Sequence, residues 1–219
     1  MGYQPFFTTM DSFCFAVLLT TMLSPFVYCR FDYSELTQGQ RDMMEYVRQM
    51  LNSTQRLLLF AGINGAMEND RICWTSQKRA DTVPGFHHYI YFWQNETKGS
   101  TKHLTEKRYA DYAVGTQGGI PTVQLLAKDG ASIDTDLSGN YTLFGANASC
   151  FVMAVIISKG QNARSKCLYW IQEGTTRDAH EACEDAFFYN CSSLTGNIYL
   201  MQQHRTECNF SSHKPGSSP

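Results

Sequence analysis

Between residues 36 and 51 the apolar side chains Met43, Val47, Met50 and Leu51 recur at helical spacing, which predicts an amphipathic helix over Leu36–Leu51. Beyond it the pattern shortens to runs of strand length: Arg56–Ala61, Arg71–Lys78, Phe86–Gln94, His103–Val114, Thr122–Lys128, Tyr141–Ala146, Cys150–Ser158 and Lys166–Gln172. Turn residues separate them, among them Val83-Pro-Gly, Gly118-Gly-Ile-Pro121, Asp129-Gly, Ser138-Gly-Asn and Lys159-Gly-Gln-Asn. Eight such runs without helices between them predict a mainly β chain, an antiparallel barrel or sandwich and not βαβ units. A second helix is predicted after Asp178, which with Glu181 has the spacing of a capping box. Cys183, Phe187 and Cys191 then share one helix face, which predicts a helix pinned to the sheet by two disulfides.

The apolar run Phe13–Val27 has the length of a secretory leader, with Val27 and Cys29 small enough for the cleavage site. No Lys or Arg precedes it, and Met10 is an alternative start to Met1. Pro25 interrupts the run, which is short for a bilayer span. The expected organisation is a signal peptide at 1–29, one domain at 30–210 and a disordered Ser/Pro tail at 211–219. Sequons at Asn52, Asn95, Asn140, Asn147 and Asn209 predict a glycosylated, secreted, extracellular protein; Asn190 also qualifies, although Cys191 follows it. Six cysteines follow the leader, Cys73, Cys150, Cys167, Cys183, Cys191 and Cys208, and in an oxidising compartment an even set reads as three disulfides. No zinc-ligand spacing appears, so neither metal nor cofactor is expected. The leader holds one charged residue, Asp11, so the remainder carries a net charge of −1 and no basic stripe. Nucleic acid and anionic membranes are therefore not expected partners.

Several blocks resemble the tick salivary lipocalins, the histamine-binding family. A stretch like LNxSxxLYLLxR corresponds to Leu51-Asn-Ser-Thr-Gln-Arg-Leu-Leu-Leu-Phe60, and a block like YxxxYxxxxxCxVLxV to Tyr141–Met153. A block like CELWV corresponds to Cys167–Ile171, and CxxxFxxxC to Cys183–Cys191, with a final cysteine at Cys208. The resemblance covers Gln40 to Cys208. It implies a lipocalin-like eight-stranded antiparallel barrel with an N-terminal helix, and a C-terminal helix disulfide-pinned to the barrel. The implied pairs are Cys73–Cys208, Cys150–Cys183 and Cys167–Cys191. The implied function is capture of a small host mediator, by default a biogenic amine such as histamine or serotonin, in evasion of host defence.

Amine binders of that family carry acids where this chain has Phe151 and Leu168. If Cys150 and Cys167 face the helix, strand parity turns Phe151, Met153, Val155, Leu168 and Trp170 inward; by the same rule Cys73 faces out, and Ile72 and Trp74 face in. That interior is apolar and aromatic, and a buried ammonium needs a carboxylate. Asp111, beside Tyr109, is a candidate carboxylate with aromatic walls for cation–π contact, against the plainer reading of a solvated strand residue. Glu68 and Asp70 are candidates near the mouth. Tyr89, Tyr91 and Trp93 alternate along one strand and read equally as pocket lining or as outer-face packing.

Asp134-Thr-Asp-Leu-Ser-Gly139 starts like an EF-hand loop, but Gly145 stands at its twelfth position, so a polar turn is predicted. His87 and His88 are adjacent, which on a strand sends them to opposite faces. No hydrolase or phosphate-binding motif appears, and no enzyme activity is expected. An apolar lipid such as an eicosanoid, fatty acid or sterol is the alternative ligand, and a host immune protein engaged by the outer surface the alternative partner.

Overall fold

The computed structural model describes residues 33–95, 103–157 and 165–208. The leader at 1–29, the tail at 211–219 and Asn209 lie outside these residues. Helix α1 spans Gln38–Asn52 and buries Met44, Val47, Met50 and Leu51. A capping box starts it: the Thr37 hydroxyl accepts from the Gln40 N–H at 3.3 Å, and the Gln40 side chain accepts from the Thr37 N–H at 2.9 Å. The strands are β1 Leu57–Ile63, β2 Ile72–Asp81, β3 Phe86–Asn95, β4 His103–Gln117 and β5 Ile120–Asp129, then β6 Ser132–Ile133, β7 Gly139–Asn147, β8 Cys150–Val155, β9 Lys166–Gln172 and β10 Ile198–Leu200.

Eight of these close into an antiparallel barrel in the order β1-β2-β3-β4-β5-β7-β8-β9, with β9 pairing back onto β1 through Leu57↔Gln172 to Ile63↔Cys167. Closure leaves the barrel strands no long free edge, the arrangement of up-and-down barrels such as lipocalins. β6 extends β5 by two residues, and β10 pairs with the second half of β1 where β2 has diverged. These two short strands carry too little pattern to be read from sequence. β2 holds an extra residue against β3 between Ile72 and Thr75, where Cys73 takes a φ of 58°. That bulge breaks the simple alternation at the barrel rim.

Helix α2 spans Glu181–Cys191, with Cys183, Phe187 and Cys191 buried. It packs on β7, β8 and β9 over an outer cluster that includes Leu58, Val152, Tyr169 and Ile171. Disulfides Cys150–Cys183 and Cys167–Cys191 bind it to β8 and β9, and Cys73–Cys208 ties the C-terminal segment to β2. The capping box expected at Asp178 does not form. Residues Arg177–His180 make a 3-10 turn, and the helix starts at Glu181 without a side-chain cap. Tertiary contact sets this start: the Tyr169 hydroxyl donates to the His180 carbonyl at 2.9 Å and lies 2.5 Å from its Nδ1. Burial lowers the His180 pKa. Asn147 is a committed side chain. Its Oδ1 accepts from the Ser149 and Cys150 N–H groups, and its Nδ2 donates to the Ala179 carbonyl at 2.9 Å, a bond that a glycan would have to replace. Among the described residues no helix is long and apolar enough to cross a membrane.

Candidate functional site

The inward side chains of β8 and β9 face each other across the ladder: Phe151 is opposite Trp170, and Met153 opposite Leu168. All four belong to the interior cluster and are at most 2% exposed. Trp74 joins them and stacks on Phe92 from β3, ring centroids 4.4 Å apart. The positions at which amine binders of the resembling family hold acids are thus buried and apolar. Trp170 Nε1 is buried there without a hydrogen-bond partner.

Tyr109 and Asp111 do not enter this interior, and the expectation that they line a pocket is corrected. On β4 the inward, buried set is Arg108, Ala110, Tyr112 and Val114, so pleating turns Tyr109 and Asp111 outward. Asp111 instead pairs with His87 across the β3–β4 ladder, Nδ1 to Oδ1 2.8 Å. Tyr89 and Tyr91 share that outer face. Trp93 sits half-buried at the rim, stacked on His103 at 5.6 Å. Glu68 lies in the 3-10 helix Gly65–Asn69 and Asp70 just beyond it, both exposed.

The end of the barrel away from α1 carries a charge cluster with no recognisable motif. Asp134 Oδ1 accepts from the N–H groups of Asp136 and Leu137, the polar turn expected in place of a calcium loop. Its Oδ2 takes Arg108 Nε at 2.9 Å and lies 3.5 Å from an Arg71 guanidinium nitrogen. Lys166 Nζ donates to the carbonyls of Thr135, Asp136 and Ser138, and burial lowers its pKa against the pull of Asp136 and Asp134. Both guanidiniums lie over the Phe92 ring, 4.8 Å from its centroid for Arg71 and 5.0 Å for Arg108. Arg71 is paired with Asp134 but incompletely hydrogen-bonded. Its side chain is 10% exposed, and its Nε and one terminal nitrogen are buried without a hydrogen bond. A buried donor left unmade costs about 1–3 kcal/mol, more when charged. Sequence reasoning missed this residue, because it precedes β2, belongs to no motif, and is aimed inward by the bulge and by Asp134.

The α1 end holds a second polar group. His88 Nε2 lies 2.8 Å from the Leu51 carbonyl, which only accepts, so Nε2 carries the proton and Nδ1 accepts from the Ser76 hydroxyl at 2.9 Å. Tyr112 Oη is 3.5 Å from Ser76, and burial pushes its pKa up. Burial lowers the His88 pKa to about 4, so the imidazole is neutral. Phe92 stands four positions beyond His88 on β3, roughly 13 Å of barrel between floor and mouth.

Among solved structures, the chain is similar to Japanin from Rhipicephalus appendiculatus bound to cholesterol, with 14% identity over 68% of this chain and 91% of that one and a TM-score of 0.49. It is similar to lobster apocrustacyanin A1, with 11% identity over 75% of this chain and 85% of that one and a TM-score of 0.43. It is also similar to H1 crustacyanin from the lobster Homarus americanus, with 11% identity over 75% and 84% of the two chains and a TM-score of 0.42. No family model and no curated protein matches the chain. The fold therefore rests on its own strand order and closure, an eight-stranded lipocalin-like barrel with two helices and three disulfides among the described residues.

Proposed function

We propose that this chain is a secreted carrier that sequesters one small apolar molecule with an anionic head, of fatty-acid or eicosanoid type, inside its barrel. Capture is stoichiometric, without turnover. The observation that carries this reading is Arg71: a buried guanidinium with unmade hydrogen bonds, at the mouth of an interior walled by Trp74, Phe92, Phe151 and Trp170. A carboxylate head on Arg71 satisfies those donors, and the hydrocarbon replaces water against the aromatic walls. An eight-stranded barrel is just wide enough for its side chains or for one small ligand, so a guest must displace packed side chains. Met67 and Met153, unbranched and buried in the interior cluster, are suited to that rearrangement.

Histamine or serotonin, the default that the family resemblance implies, finds less support. A buried ammonium needs a carboxylate, and Asp134 is already held by two guanidiniums. A sterol fits the walls but leaves the buried donors of Arg71 without hydrogen bonds. Three disulfides suit an extracellular compartment, and a salivary role against host defence is what the resemblance adds.

Titration of tryptophan fluorescence tests the reading, since Trp74 and Trp170 line the interior. Oleate should bind, and Arg71→Gln should weaken oleate roughly 10- to 100-fold while leaving cholesterol nearly unchanged. Histamine bound more tightly than oleate, or oleate indifferent to Arg71→Gln, would sink it.

A further inference from the structure

The outer face of β2, β3 and β4 carries a tyrosine cluster that the barrel interior does not use. Tyr89 and Tyr109 are direct cross-strand partners with ring centroids 5.1 Å apart and planes at 89°, and Tyr91 adjoins Tyr89 at 6.1 Å and 84°. Cations cover the rings. Lys107 Nζ lies 4.8 Å from the centroids of both Tyr89 and Tyr109, and the Arg79 guanidinium lies 4.8 Å from Tyr89 while donating to the Tyr91 hydroxyl at 2.9 Å. Lys128 is opposite Tyr109 on β5, and Asp111 is engaged by His87. The face is therefore net positive. It is also uncovered by α2, which packs on β7, β8 and β9.

We propose that this face is a docking surface for an acidic segment of a partner protein. The perpendicular rings form no flat platform, and the cations over Tyr89 and Tyr109 take ring faces that a sugar or base would need. Hydroxyls, ring edges, an ammonium and a guanidinium remain on offer, which suits carboxylates and the polar groups around them. Tyrosine and arginine are the residues enriched at the energetic centres of protein interfaces. Here they stand on a rigid sheet with the cations already held over the rings, so less side-chain freedom is lost on binding. Charge complementarity selects the acidic partner.

Fluorescence anisotropy with a labelled polyglutamate peptide tests this on the full chain, with a heparin oligosaccharide as competitor and oleate titration as the control for folding. Polyglutamate should bind, and Arg79→Glu with Lys107→Glu should weaken it at least about tenfold. Tyr89→Ser, which keeps every charge, should weaken it several-fold, and none of these variants should alter the oleate titration. If Tyr89→Ser perturbs folding, Lys107→Gln on an exposed side chain must still weaken the peptide. Binding that ignores both Tyr89→Ser and Lys107→Gln overturns the proposal as nonspecific attraction. Heparin held more tightly than polyglutamate by the same residues overturns it in favour of a sulfated glycan.

Discussion

His88 has its chemistry altered by its place in the barrel. Its pKa falls from 6.5 to about 4 because burial disfavours the imidazolium, and the Leu51 carbonyl only partly opposes that shift. The sign follows from linkage: between these two values the unfolded chain takes up a proton that the folded chain refuses. His88 therefore contributes stability that is complete above pH 6.5 and is lost as the pH falls towards 4. The contribution is at most about 3 kcal/mol. Urea unfolding at a series of pH values should show this decline in the wild type and a flatter profile in His88→Gln. Parallel profiles would mean that other groups carry the acid sensitivity. Because His88 joins the end of α1 to the barrel wall, the loss should appear as loosening at that end.

The two helices are held by different means. α1 buries an apolar stripe over the end of the barrel, and its capping box is local to Thr37 and Gln40. α2 has no side-chain cap and depends on its two disulfides and on Phe187. β7 accommodates it through Gly145, where an added Cβ would stand 2.8 Å from that of Ala186. Since the disulfides prevent the helix from retreating, Gly145→Ala should destabilise the protein by about 1–3 kcal/mol, read as a lowered Tm. A variant as stable as the wild type would show that α2 can slide over β7 despite both cross-links.

At the scale of the molecule, the β1–β9 ladder closes the barrel, and Cys73–Cys208, which joins positions 135 residues apart, ties the C-terminal segment onto it. Closing so long a loop restricts the unfolded chain strongly, by about 4–5 kcal/mol in the chain-entropy account. Cys73→Ala with Cys208→Ala should therefore cost several kcal/mol in denaturant unfolding, and should free β10 from β1 to exchange its amide hydrogens earliest. If β10 remains as protected as β1, its ladder alone holds the C-terminal segment.

Each of the eight barrel strands has its counterpart in a run of apolar or alternating residues bounded by turns, since pleating and burial impose that pattern on the chain itself. Parity was legible where cysteines anchored it: Cys150 and Cys167 face α2, so Phe151, Met153, Leu168 and Trp170 face inward. On β4 no such anchor exists, so the pattern left Asp111 open between a pocket carboxylate and a solvated strand residue, and pairing with β3 decides for the outer face. The capping box of Thr37 and Gln40 is local to the chain, whereas the apparent one at Asp178 yields to the Tyr169 contact. Arg71 acquires its place only from the bulge at Cys73, the carboxylate of Asp134 and the ring of Phe92, which lie 2, 63 and 21 positions away in the chain. The strands and the cysteine frame are thus written in neighbouring residues, because local periodicity sets them. The charged mouth and the tyrosine face were decided only by tertiary structure, because strand pairing and register bring distant side chains together.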